Sequence, residues 1–396
     1  MAPPRRGNLL VLQSGGPTAV INRTLVGIVR EATDRNAFST ILGAVHGFTG
    51  LLGERFVDLG RQSPSLLSSV ARTPGAALGS ARRKLGPEQA RDAVETLHRH
   101  GVTSVVGIGG NDSAENLLLI EATAKASGRD LSVVAAPKTV DNDLPETDHC
   151  PGYGSAARFI ALATMSAARD AEALAHDAPI TVIEVMGRNA GWLAAAAGLA
   201  KREERDAPHL VCVPELPVDE DRFVAAIQGA LSRWGFAVAV VGENVRGPKG
   251  PLGGDSTPDR VDEFGHPYHL SPARHLGRLT ERRLGVRVRV EIPGTLQRTM
   301  TVSRVDAEEA EAVGRAAVTA LEGESGKMVT LVRESTSPYR WSTGMAPLAS
   351  VAGKERRLPK SFMDASAGLP TSAFLEYARP LIGASLPRFG RLAPVR

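Results

Sequence analysis

What most constrains this chain is an alternation. Short apolar runs recur, each followed by a glycine-rich or acidic turn and then by an amphipathic stretch. NLLVLQ (8–13) reads as a strand, SGGPTAVIN (14–22) as the turn and RTLVGIVREA (23–32) as a helix. VTSVVGIGG (102–110) repeats the theme, with EQARDAVETLHRHG before it and the helical NDSAENLLLIEATAKAS (111–127) after it. Asn111, Asp112 or Ser113 falls near the N-cap of that helix. LSVVAAP (131–137) is the next strand. Strands that alternate with helices pair in parallel, because each helix carries the chain back across the sheet.

A second series follows. GSAARFIALATMSAARDAEALAHD (154–177) is a long helix, PITVIEVMG (179–187) a strand and RNAGWLAAAAGLAKRE (188–203) a helix. HLVCVPE (209–215), DRFVAAIQGALSRWG (221–235) and FAVAVVGE (236–243) continue as strand, helix and strand. Residues 247–275 have no clear period and many Pro and Gly, and are expected to be a loop or insertion. A helix resumes at RLTERRLG, followed by the strand RVRVEIPG (287–294), the helix 306–326, the strand KMVTLVR (327–333) and a helical tail, FLEYARPLIG (374–383). The expected fold is α/β: two doubly wound, mainly parallel-sheet domains with a cleft between them.

Composition narrows the partners. Aromatics are only 4% of the chain, so Ala, Val, Leu and Ile must build the core. The net charge is +4, but the arginines are scattered and no basic cluster is interleaved with aromatics. Anionic small molecules are expected and nucleic acid is not. No apolar run approaches a membrane span. MAPPRRGN has no apolar segment behind it, so no secretory signal is expected. Cys150 and Cys212 form no CxxC or metal-ligand spacing, and a reducing cytoplasm is the expected setting.

Three loops follow predicted strands in order: SGGPT, GGNDS and PKTVDND. In an open parallel sheet, ligands bind outside these strand ends, where helix N-termini offer N–H donors to anions. PKTVDNDLPETDH (137–149) places four acids and a lysine directly after an apolar strand. GYGSAA (152–157) lacks the preceding strand of a dinucleotide fingerprint, and GESGKM (323–328) has the wrong spacing for a phosphate-binding loop.

QSGGPTAVIN, GSAR, GGNDS, PKTVDNDLPETDHCPGYGSA, EVMGRNAGWLA and PGTLQR occur in the order of the phosphofructokinase family, which the chain resembles over roughly residues 8–385. It looks like the pyrophosphate-dependent branch. The ATP-using members have glycine where this chain has Lys138, and GGDGS where it has GGNDS. Asp112 would add bulk and negative charge where a nucleotide α-phosphate would lie, and Lys138 a point charge suited to a small polyanion.

The resemblance implies Asp141 as the base toward the acceptor hydroxyl, with Asp143, Thr139, Lys138 and Arg82 completing the catalytic set. It implies Gly15, Gly16, Gly110, Asn111, Asp112, Ser113 and Lys138 around the donor phosphates. Asp112 and Asn111 would serve a Mg²⁺ ion. Met186, Gly187, Arg188, Glu243, Arg289 and Arg298 would hold the acceptor, with Arg289 serving a neighbouring subunit. Glu146 and Asp148 are expected to be structural. The donor domain would comprise 8–151 with roughly 297–350, and the acceptor domain 152–296 with the helical tail. Pyrophosphate and a sugar phosphate are the implied substrates, and a homodimer or homotetramer the implied assembly. Pro179 and Thr295 depart from the acceptor-site pattern of relatives, which leaves a larger sugar phosphate or another specialised acceptor open. An ATP-dependent kinase of the same fold and a non-catalytic subunit are the other readings.

Overall fold

The computed structural model describes residues 7–252, 260–261, 267–268, 271–323 and 325–392. Its first sheet contains β1 (Asn8–Gln13), β2 (Ile41–Ala44), β3 (Phe56–Asp58), β4 (Val102–Gly109) and β5 (Ser132–Pro137). The hairpin Lys327–Thr336/Tyr339–Pro347 extends it, outside β5. The order across the sheet is Tyr339–Pro347, Lys327–Thr336, β5, β4, β1, β2, β3. The five central strands run parallel and both edge strands antiparallel. Leu9, Val11, Val106 and Val134 face one core, and Leu10, Leu12, Val105 and Val133 the other. Burial on both faces is why these strands read as unbroken apolar runs.

The second sheet contains β6 (Ile180–Val185), β7 (Leu210–Cys212) and β8 (Ala237–Gly242), with the strand Val288–Glu291 at one edge. All its pairings are parallel. The helix Arg304–Ala320 returns to the first sheet and packs on the helix Ile21–Asp34. Two glycines allow the close approach: a Cβ on Gly27 would lie 2.3 Å from the Glu311 carbonyl oxygen, and one on Gly314 2.2 Å from that of Thr24. The tail helix Ser372–Ala378 packs on the second sheet's core through Phe374 and Ala378. Among the described residues, no helix is long and apolar enough to cross a membrane.

Two expectations need correction. The 188–203 helix shrinks to Trp192–Ala196 and a 3₁₀ turn, Ala197–Ala200, because residues 186–191 form a turn. The 247–275 segment is not wholly loop. It takes part in two short antiparallel ribbons, Arg246–Gly247/Gly250–Pro251 and Arg260–Val261/Pro267–Tyr268, and its last residues open the helix Pro272–Leu284. Residues 253–259, 262–266 and 269–270 of that segment lie outside the described residues. As expected, Asn111, Asp112 and Ser113 lie next to the N-cap of the helix Asn111–Ala126, which is Gly110, and occupy its first turn.

Candidate active site

The loops after β1, β4, β5, β6 and β8 carry nearly all the expected residues. Gly15, after β1, has φ +78°, and a Cβ there would come 3.0 Å from Lys138 Nζ. A Cβ on Gly16 would lie 2.9 Å from Arg298 Cζ. The two glycines therefore let a lysine and an arginine head approach bare backbone. Arg82 lines the same cleft of about 360 Å³ with Gly15, Gly16 and Arg298. Arg298, expected with the acceptor residues, thus sits against the glycine loop. Ser80 Oγ donates to the Gly15 carbonyl at 2.6 Å. Asn116 bonds Arg83 and Leu85, fixing the segment that carries Arg82.

At the end of β4, Asn111 Oδ1 accepts the Asp112 N–H at 2.9 Å. Ser113 is buried under Gly109. Lys138, one register step beyond β5, is 3% exposed. Burial holds its pKa down to about 8, reinforced by Arg298 and Arg188 and opposed by Asp141 and Asp143. Thr139 Oγ1 accepts the Asp141 N–H at 3.1 Å, closing the turn that presents Asp141. Asn142 takes φ +57° and is tied to Tyr377 and to the Cys150 N–H. Asp143 is buried, and burial together with the Asp141 charge raises its pKa.

The turn after β6 supplies the opposing wall. The Met186 N–H donates to Gln297 Oε1 at 3.0 Å. Gly187 has φ +137°, and a Cβ there would lie 2.5 Å from the Ala190 carbonyl oxygen. Arg188 takes φ +49°. Glu243, just beyond β8, accepts the N–H groups of Gly187 (3.2 Å) and Arg188 (2.9 Å). Burial, and then Asp141, pushes the Glu243 carboxyl up to about 7. Arg188 reaches across, with Nη1 3.6 Å from Asp112 Oδ2 and Nε 4.0 Å from Asp141 Oδ2. The two sheets thus meet at one arginine between two aspartates.

Arg289 does not join this cluster. It lies on the edge strand Val288–Glu291, paired with Asp170 of the helix Tyr153–Ala173. Asp148 belongs to a separate network: Arg333 grips it, and it accepts from His149, whose other nitrogen faces Glu309.

Residues 8–321 match the phosphofructokinase family. The chain belongs to that family. It is 40% identical to a pyrophosphate–fructose 6-phosphate 1-phosphotransferase of Xanthomonas campestris, covering 96% of this chain and 93% of that one. A protein of the same name from Methylococcus capsulatus is 38% identical, covering 95% and 91%. The crystal structure of the pyrophosphate-dependent phosphofructokinase from Nitrosospira multiformis superposes with a TM-score of 0.88 at 33% identity, over 98% and 95% of the two chains.

As a phosphofructokinase, the chain has metal-site chemistry that can be tested against its donors. Asp112 is the one acid of the GGNDS loop, and Asn111 offers a carbonyl oxygen. Among the described residues, no group of three His, Cys, Asp or Glu side chains could hold an ion. That donor set fits a hard divalent cation bound by one carboxylate, with phosphate oxygens and water supplying the rest. Sequence reasoning missed Ser80, Asn116 and Gln297. Gln297 stood inside PGTLQR and Ser80 inside GSAR, but hydrogen bonding to backbone has no sequence period.

Proposed function

We propose that this phosphofructokinase transfers a phosphoryl group from pyrophosphate to the 1-hydroxyl of fructose 6-phosphate, reversibly and without a phosphoenzyme. The observations that carry this reading are the buried Lys138 ammonium against Gly15 and the Asp112 carboxylate in the first turn of the helix that follows β4. A compact cation over bare backbone suits a small polyanion. The carboxylate disfavours a longer phosphate chain by charge and bulk. The names of the full-length relatives support the same donor and acceptor.

In this reading Gly15, Gly16, Gly110, Ser113, Lys138, Arg82 and Arg298 hold the pyrophosphate. Asp141 takes the proton from the acceptor hydroxyl, a role worth roughly 10²–10⁴-fold in rate. Asp143 and Thr139 orient the Asp141 turn. Met186, Gly187, Arg188 and Glu243 form the acceptor wall, and Arg188 moves from the two aspartates to the phosphoryl group in transit. Asp112 and Asn111 would hold a divalent cation, taken to be Mg²⁺, which when bound neutralises charge on the phosphate oxygens. The unit built on the first sheet would serve the donor, and the unit built on the second sheet the acceptor.

The assembly is a homodimer or homotetramer. Val288–Glu291 is an open sheet edge, and Ile292, Leu296, Met300 and Val302 just beyond it are exposed, Met300 by 68%. A second copy covering this patch would carry Arg289 toward a neighbour's acceptor site. Cys150 and Cys212 are buried free thiols, in keeping with a cytoplasmic setting.

The deciding experiment measures transfer to fructose 6-phosphate with Mg²⁺, using pyrophosphate or ATP as donor, for wild type and Asp141→Asn. Turnover with pyrophosphate and at least a hundredfold loss in the variant are expected. Turnover with ATP alone would overturn the donor assignment. Equal rates for the two proteins would overturn the base. Better turnover with sedoheptulose 7-phosphate would shift the acceptor.

A further inference from the structure

Between the hairpin of the first sheet and the tail of the second, the chain crosses the cleft once as an irregular segment, residues 354–359. Its central residue makes an unusual set of contacts. The Arg356 backbone N–H donates to the Asp143 carbonyl at 2.6 Å. Its Nη2 donates to the Asn142 carbonyl at 2.9 Å, and its Nη1 to the carbonyls of Thr147 (2.6 Å) and Asp148 (2.7 Å). The guanidinium lies over the Trp192 ring, 4.6 Å from its centroid, and Trp192 Nε1 returns a hydrogen bond to the Arg356 carbonyl at 3.2 Å. Next to it, Glu355 accepts from Asn189 Nδ2 at 3.1–3.2 Å.

One residue thus grips the turn that presents Asp141 and Asp143, through the carbonyls of Asn142 and Asp143, and ties it to the carbonyls of Thr147 and Asp148 further along the loop. The same residue stacks on the segment that follows Arg188. The turn needs such a grip. Asn142, between the two acids, takes φ +57°, a left-handed conformation that asparagine tolerates better than most residues but that still has to be held in one orientation. A planar guanidinium can meet divergent carbonyls at once and stack on an indole, whereas an ammonium is a single point of donation.

We propose that Arg356 is a positioning residue. It sets the Asp141 turn against the Arg188 wall, so that the two halves of the site register only while the crossing segment is seated. This rests on the reading of Asp141 as the base. A misplacement of about 1 Å at a reacting group costs on the order of a hundredfold in rate.

The test compares wild type, Arg356→Lys, Arg356→Ala and Asp141→Asn in the pyrophosphate reaction, with circular dichroism melts alongside. Arg356→Lys keeps a long cationic side chain and guards against simple unfolding. The expected result is a kcat roughly 10–100-fold lower in both Arg356 variants, with KM for pyrophosphate within about threefold of wild type, since no donor-site residue is touched. Millimolar guanidinium should restore part of kcat to Arg356→Ala and none to Asp141→Asn. A normal kcat in Arg356→Lys, or a loss explained wholly by a lower folded fraction with no guanidinium rescue, overturns the proposal. If Asp141→Asn retains full activity, the base assignment fails instead, and Arg356 falls with it.

Discussion

Replacing Lys138 with methionine should make the protein more stable and less active. The side chain is 3% exposed, and its pKa falls from 10.5 to about 8, chiefly through burial. At neutral pH the folded protein therefore holds a charge it would rather lose. The drop corresponds to roughly 3 kcal/mol, at about 1.4 kcal/mol per pH unit. The sign follows from proton counts. Between pH 8 and 10.5 the unfolded chain binds the proton more tightly, so wild-type stability recovers as pH rises through that window. Methionine fills similar volume without charge. At pH 7 Lys138→Met should gain about 3 kcal/mol, or a few degrees in Tm for a chain of this size, and the gain should vanish above pH 10.5. The same change removes one charge-assisted contact to the donor, worth about 1.5–3 kcal/mol, so kcat/KM for pyrophosphate should fall roughly 10–150-fold. Calorimetry at pH 7 and pH 10.5 and donor-dependent kinetics check both halves. A lower Tm at pH 7 would refute the burial argument, and unchanged kcat/KM would remove Lys138 from the donor site.

Gly16→Ala should leave the fold intact, because the nearest atoms to its Cβ, from 2.9 Å, are the far end of the Arg298 side chain rather than backbone. It should still cost on the order of tenfold in kcat/KM for pyrophosphate by moving that head, and a large loss of Tm would refute this. His149 is buried between Asp148 and Glu309, which raise its pKa to about 9 against burial. Its contribution, fully present below pH 6.5, is lost as pH rises through 9. His149→Gln should therefore be destabilised by about 3 kcal/mol at pH 6 and much less at pH 10, as urea melts would read. Equal losses at both pH values would refute the pairing. Met300→Lys with Leu296→Lys should shift the protein toward monomer in light scattering. An unchanged mass would place the interface elsewhere.

The strands and helices of the first sheet were legible because burial on both faces leaves a continuous apolar signature, as in VTSVVGIG. β2 and β3 were not, since four and three residues are too short to show a period. The edge strand Tyr339–Pro347 was missed because its outer side is unpaired and its sequence, YRWSTGMAP, mixes polar and apolar residues. At the site, what sequence motifs placed in order the fold gathers: Lys138 comes to Gly15, and Arg188 reaches Asp112 and Asp141. The 188–203 helix misled, since its apolar alanines satisfy a helical pattern. Glu243 instead draws the N–H groups of Gly187 and Arg188 into a turn before a helix can start. The role of Arg356 is illegible for the same kind of reason. Its partners are backbone carbonyls 208 to 214 residues away.

The centre is built from groups held away from their preferred ionisation. Burial depresses Lys138 and raises Asp143 and Glu243, and Arg188 is shared between two acids at 3.6 and 4.0 Å rather than closed on one. None of this stabilises the folded chain by itself, and each buried charge costs free energy. In the proposed reading, pyrophosphate adds negative charge beside Lys138, Arg82 and Arg298, restores the lysine toward its ordinary pKa and draws Arg188 from Asp141. The cost of burying the lysine charge would then return as donor affinity. At a donor concentration a hundred times its Kd, mass action alone adds about 2.7 kcal/mol to the folded state. The lysine charge that costs stability without the donor is the charge that the donor would pair.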